Sequence, residues 1–156
     1  MKPIGLLIHH LHLIQRQMLN QVFEELDLTS SQAFTLIHVI KSHRKNLLIC
    51  QKDIEKAMEI SNPTVTGILN RLEQKELIQR VPGKKDARIR NIIVTQKALE
   101  LDKILQKKFQ EVEKSLVSSL DDEQQHIFHE MLQKIIDSHG ENTKISDCSK
   151  GDDCDD

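Results

Sequence analysis

The sequence predicts a mainly α-helical chain that carries one small β-hairpin, and three observations lead there. Apolar residues recur at the 3.6-residue period on both sides of the chain centre, so much of the length reads as amphipathic helix. At Ser61-Asn62-Pro63 a capping side chain meets a proline suited to a first helical turn. Between Leu77 and Val94, two runs rich in β-branched or large apolar residues flank the turn signal Pro82-Gly83. Residues 51–95 therefore read as helix, turn, helix, strand, basic loop, strand. That is the plan of a winged helix-turn-helix, with longer helices before and after it.

The first helix rests on the stripe Ile4, Leu7, Ile8, Leu11, Ile14, Met18 and Val22, widened by Leu6 and Leu13. This stripe is broader than one small core requires. A second helix follows a Thr29 or Ser30 cap, sets Phe34, Ile37, His38 and Ile40 or Lys41 on neighbouring turns, and should pack beneath the first. Gln51 to Met58 forms a shorter helix with Ile54 and Ala57 or Met58 inward, and the brief Glu59-Ile60 turn makes it cross its successor steeply. The successor is expected to take Asn62 as its cap and Pro63 as its first residue, with Val65, Ile68, Leu69 and Leu72 facing the core at i, i+3, i+4 and i+7. Residues 77–81 and 89–94 make the hairpin. Beyond Thr95, the spacing of Leu101, Leu105, Phe109, Val112, Leu116 and Leu120 marks one long helix, and Asp121-Asp122 opens a last one with Ile127, Phe128, Met131, Leu132, Ile135 and Ile136. From Gly140 onward only Ile145 is a large apolar residue, so 140–156 is expected to be an acidic disordered tail.

At 156 residues the chain suits one domain, placed at 1–139, plus that extension. The net charge of −2 conceals an uneven distribution. From Ser61 to Arg90 seven bases face three acids, whereas from Asp137 to Asp156 seven acids face two lysines, so the tail masks a basic centre. Apolar runs fall far short of the ~20 residues that span a bilayer, and no transmembrane helix is expected. Residues 1–8 imitate a signal peptide faintly, but His9, His10 and His12 break the apolar region and no small-residue cleavage site follows. Three cysteines, Cys50, Cys148 and Cys154, make no disulfide framework and fit the reducing cytoplasm.

Opposite the apolar face of the fourth helix stand Thr64, Thr66, Gly67, Asn70, Arg71 and Gln74. These groups are short or hydrogen-bonding, with little bulk to hold a helix out of the major groove of DNA. Lys84, Lys85, Arg88 and Arg90, around a single Asp86, are too charged to pack inward and suit phosphates or a narrow minor groove. The run SNPTVTGILNRLEQKELIQR, the element Asp86-Ala87-Arg88 and the Val94-Thr95 that opens the next helix resemble the MarR family of bacterial transcription regulators.

That resemblance covers roughly residues 1–139. It implies a DNA-reading part at about 30–95 and dimerisation helices at about 3–25 and 96–139, with the first and last helices of two subunits interleaved. It also implies that the helix carrying Thr64 to Arg71 is the recognition helix, and that Arg88 reaches the minor groove while Asp86 orients it. The DNA-contacting set on this reading is Ser61, Asn62, Thr64, Thr66, Asn70, Arg71, Lys84, Lys85, Asp86, Arg88 and Arg90. The chain departs from the family pattern at Glu76 and Ala98, where glycine is usual, and at Cys50, where threonine or serine is usual. A residue with a Cβ disfavours the left-handed conformation, so Glu76 argues against a left-handed cap there.

The expected partners are a second copy of the chain and double-stranded DNA bearing a near-palindrome, its half-sites ~10 base pairs apart. Release of a repressor by a small-molecule or other signal completes the expectation, and no cofactor is implied. Three competing readings are weaker. Cys50, just ahead of a helix, is either a redox sensor or a small apolar residue, and the second is favoured. His9/His12 and His126/His129, each spaced i, i+3, raise metal sensing, but each pair is two ligands short of a usual site. A protein-binding winged helix is the third. No Gly-rich phosphate loop or nucleophile motif supports an enzyme.

Overall fold

The computed structural model describes residues 1–84 and 88–139. In order these form α1 (Ile4–Glu25), α2 (Ser30–Arg44), β1 (Ile49–Cys50), α3 (Gln51–Met58), α4 (Asn62–Gln74), β2 (Ile78–Pro82), β3 (Arg90–Val94), α5 (Gln96–Leu116) and α6 (Asp122–His139). The mainly α fold with a small β-hairpin wing is thus as the sequence predicts. The expected acidic tail, with Cys148 and Cys154, lies outside the described residues. No helix among the described residues is long and apolar enough to cross a membrane.

Residues 1–116 make one compact unit. Its core gathers Phe23 from α1, Leu36 and Ile40 from α2, Ile54 from α3, Val65, Leu69 and Leu72 from α4, Ile78 from β2 and Leu105 from α5. Each is buried almost completely, and full burial of such a side chain contributes about 1.5–3 kcal/mol. Phe23 ties three helices together: its ring meets Phe34 at 5.5 Å and Phe109 at 6.1 Å between centroids, both edge-on. Along α1 only Val22 and Phe23 are buried, while Ile4, Leu7, Ile8 and Ile14 stay exposed. The stripe is therefore buried at its C-terminal end, where Val22 joins the core and Met18 packs against it, while its N-terminal part from Ile4 to Ile14 is left largely exposed.

Burial in α2 differs from the expected face. Ala33, Leu36, Val39 and Ile40 point inward and Phe34 is 44% exposed. The apolar count misplaced the register because three inward positions are polar: Gln32 closes a capping box with Thr29, Thr35 Oγ1 faces Met58 Sδ at 3.3 Å, and Ser42 Oγ donates to the His38 carbonyl at 3.0 Å. Met58 is the inward residue of the Ala57/Met58 pair, since Ala57 is exposed.

The sheet has three antiparallel strands in the order β1-β3-β2, one more than the expected hairpin. Ile49 pairs with Ile92 and Arg80 with the same residue on the other side. At two residues, β1 is too short to leave a period-2 signature. Pro82, read as part of the turn, pairs with Arg90 at the edge of β2.

Helix ends explain the missing glycines. After α1, α2 and α4 the chain turns through a left-handed residue, Asp27, Asn46 and Glu76, with φ between 54° and 60°. In each case the next residue donates its N–H back into the helix: Leu28 to Phe23 O, Leu47 to Ser42 O and Leu77 to Leu72 O, at 2.8–3.0 Å. This is the Schellman arrangement, completed without glycine. Glu76 is left-handed, contrary to the expectation from its side chain, because two backbone hydrogen bonds and the burial of Leu77 outweigh a cost of roughly 1–2 kcal/mol.

α5 ends at Leu116, so Leu120 lies beyond the long helix to which the apolar spacing assigned it. Inside α5, Asp102 is buried and held by the Arg44 guanidinium and by Gln106 Nε2 at 3.0 Å. Residues from Val117 on belong to a second unit, in which Asp121 caps α6: its Oδ1 accepts from Gln124 N at 2.9 Å and its N–H donates to Gln124 Oε1 at 3.1 Å. α6 has no fully buried residue, and Ile127, Met131, Ile135 and Ile136 are exposed along it.

Candidate nucleic-acid interface

α4 buries Val65, Ile68, Leu69 and Leu72 and turns Thr64, Gly67, Asn70, Arg71 and Gln74 toward solvent, with Thr66 half-buried at the boundary. The helix begins one residue earlier than expected. Ser61 is the N-cap, Asn62 the first helical residue, and Pro63 stands in the first turn where its missing N–H costs nothing. Asn62 is freed from capping because Glu55 on α3 competes for it: Asn62 Nδ2 donates to Glu55 Oε1 at 2.6 Å. Ser61 Oγ lies 2.9 Å from Thr64 Oγ1.

α3 is locked to this helix start by Gln51. Its Nε2 donates to Thr66 Oγ1 at 2.8 Å and to Glu55 Oε1 at 3.1 Å, and reaches the Asn62 carbonyl at 3.5 Å. A second lock joins the other end of the helix to the wing. Arg80 on β2 donates through Nε and Nη2 to Glu73 Oε2 at 3.0 and 2.7 Å, through its backbone N–H to Glu73 Oε1 at 3.2 Å, and through Nη2 to Asn70 Oδ1. The Arg80 hydrogen bonds hold the Glu73 carboxyl below its ordinary range against a smaller opposing effect of burial. Helix and wing thus form a connected polar surface.

Of the basic groups expected on the wing, Lys84, Arg88 and Arg90 are exposed. Lys85 and Asp86 lie outside the described residues, and with them the orienting role expected of Asp86. Neither Gln51, Glu55 nor Arg80 was named from sequence as part of the site. Their partners on α4 lie 7 to 15 residues away across a turn, and no local spacing encodes such pairs.

Cys50 is half-buried at the N-cap of α3. Its N–H donates to Asp53 Oδ2 at 2.8 Å, which closes a capping box and holds the Asp53 carboxyl below its ordinary range. That is a structural use of a position where serine or threonine would serve equally. Among the described residues, no three His, Cys, Asp or Glu side chains gather as a metal site, and His126 lies 3.3 Å from Glu130.

The model of the MarR family matches residues 28–89. Among solved structures, a point mutant of MepR from S. aureus superposes with a TM-score of 0.81 at 30% identity, covering 88% of this chain and 98% of that one. A complex of S. aureus MepR with DNA matches at a TM-score of 0.65 and 30% identity, over 88% and 99% of the two chains. The reduced form of MarR from E. coli, at 22% identity, shares the fold with a TM-score of 0.73 over 87% and 98%. No curated protein sequence matches the chain.

Proposed function

This chain belongs to the MarR family of transcription regulators, and from that premise we propose that it binds promoter DNA as a homodimer and acts as a repressor released by a signal. The observation that carries the reading is α4: one face fills the core while the other offers Thr64, Thr66, Asn70 and Arg71 beside an exposed basic wing. A helix so exposed, with no side chain at Gly67, fits the major groove. Lys84 and Arg90, with Lys85, supply salt-dependent affinity for phosphates, Arg88 oriented by Asp86 reaches the minor groove on the family pattern, and the helix supplies sequence discrimination. Complexes of S. aureus MepR with DNA lend the reading support from a relative.

Dimerisation follows from the apolar residues that α1 leaves exposed and from those along α6. Two copies related by a two-fold axis require a near-palindromic operator, read in the cytoplasm where such a chain meets DNA. Release requires a ligand that binds one separation of the two heads better than the other, and linkage makes DNA weaken that ligand by the same factor. A depression of about 430 Å³ lined by Leu26, Leu28, Leu77, Lys97, Leu101 and Ile104 is a place where the end of α1, the start of the wing and α5 could feel one ligand together.

Selection of the purified protein on a randomised duplex pool, followed by titration of the recovered site across salt, tests the proposal. It expects a near-palindrome bound by two chains, with log affinity falling by about 0.9 per log salt for each phosphate neutralised. Recovery of no motif, with weak affinity even at low salt, would instead favour a winged helix that serves protein partners.

A further inference from the structure

Thr66 stands at the edge of the recognition face, half-buried on the side of α4 that meets α3. Its Oγ1 accepts from Nε2 of Gln51, the first residue of α3, at 2.8 Å. Which end of the Gln51 amide faces Thr66 follows from two other neighbours. Glu55 Oε1 at 3.1 Å and the Asn62 carbonyl at 3.5 Å are acceptors, so the amide turns its NH2 end to all three oxygens. Glu55 Oε1 accepts from Asn62 Nδ2 as well, at 2.6 Å, and this second bond ties the carboxylate that holds Gln51 to the start of α4.

The bond from Gln51 restricts a side chain that a helix alone leaves divided. A helical threonine splits between two χ1 states, because its hydroxyl can turn back to a carbonyl three or four residues earlier. For Thr66 the carbonyl four residues earlier is that of Asn62, which Gln51 Nε2 also reaches. The two states put different atoms, hydroxyl or methyl, at the same base edge. A threonine methyl favours the methyl of thymine, whereas a hydroxyl pairs with polar base edges. Resting on the DNA-binding role proposed above, we infer that Gln51 is a specificity-determining residue: by fixing the Thr66 side chain from α3, it sets which base Thr66 selects. Gln51 acts here as a positioning residue, through Thr66.

The test compares sites selected from a randomised duplex pool by the wild-type chain, Thr66→Val, Gln51→Met and the double variant, each then titrated against single-base substitutions. Valine keeps the shape of Thr66 without its hydroxyl and so marks the base position that Thr66 reads. Methionine keeps the length of Gln51 without its donor, while Glu55 retains Asn62 as a partner at the helix start. Gln51→Met should change the preference at the marked position by roughly fivefold, the size of one hydrogen-bond contribution, and leave the other positions as they are. Gln51→Leu, a second residue without a donor, should repeat that result. In the Thr66→Val background Gln51→Met should change nothing at the marked position, so the two effects do not add. A merely structural role for Gln51 would weaken all sites alike and would add to Thr66→Val. An unchanged preference in Gln51→Met, an equal effect of Gln51→Met in both backgrounds, or no position that depends on Thr66 would each overturn the inference. Failure of the wild type to select any motif would instead sink the DNA-binding role beneath it.

Discussion

Gly67 lies in the middle of α4, between the helix start and Asn70 on the outward side. A methyl group added there meets no protein atom within 4 Å, so Gly67→Ala costs nothing in packing. Alanine in place of glycine inside a helix gains about 0.8–1.0 kcal/mol, which for a chain of this size raises Tm by about 2–4 °C. If α4 were only structural, alanine would be the better residue. The groove reading makes the opposite demand, because the backbone at Gly67 must approach base edges as closely as the Thr64 and Arg71 side chains on the same face allow. A methyl forced into a filled interface costs about 1–3 kcal/mol, or roughly 5- to 150-fold in affinity. Thermal melts and titration of a labelled operator duplex read the two effects separately. A variant that is more stable and binds the operator as tightly as the wild type would refute the claim that this face enters the groove closely.

Arg44→Ala should destabilise the fold by about 2–3 kcal/mol, because it strands the buried Asp102 carboxylate, and Arg44→Ala with Asp102→Asn should recover part of the loss in denaturant titrations. Glu76→Gly should raise stability by up to about 1 kcal/mol by relieving a left-handed residue with a Cβ, since the Lys97 pair it removes is 3.6 Å long and exposed on both sides. His38 is held below its ordinary 6.5 chiefly by burial, then by Lys41. The unfolded chain therefore binds that proton first, so this contribution to stability is present above pH 6.5 and is lost as pH falls toward the folded-state value. Chemical denaturation of His38→Gln at about pH 7.5 and about pH 5.5, on either side of the ordinary value, should show a smaller acid-side loss than the wild type. Arg88→Ala should weaken all duplexes alike, whereas Thr66→Ala should chiefly alter preference at one base position, and competition binding against point-mutated sites would distinguish them.

What the sequence made legible is the part of the fold governed by local pattern. Pro63 and the spacing of Val65, Ile68, Leu69 and Leu72 placed α4 and its buried face because four apolar residues and one turn signal suffice for a single helix. The same rule failed in α2, where Gln32, Thr35 and Ser42 are buried after finding partners that apolar counting cannot see. Asp102 would be read as a solvated position from its own helix, and only Arg44, 58 residues away, makes its burial tolerable. Glu76 shows the limit of residue preference, since a cap closed by Leu77 overrides it. In the candidate site, the outward groups of α4 could be named in advance, but the orientation of Asn70 could not. It depends on Arg80 in a strand that folds back against the helix.

Two reading heads on one two-fold dimer make a demand that no monomeric or protein-binding module makes, namely a fixed phase between half-sites. Insertion of about five base pairs at the centre of the recovered operator turns one half-site to the opposite side of the duplex, about half a helical turn away. Affinity of the wild-type chain for the original and the expanded site should then differ by roughly 10³-fold or more, leaving only non-specific binding to the latter. Equal affinity for both sites would contradict the dimeric reader.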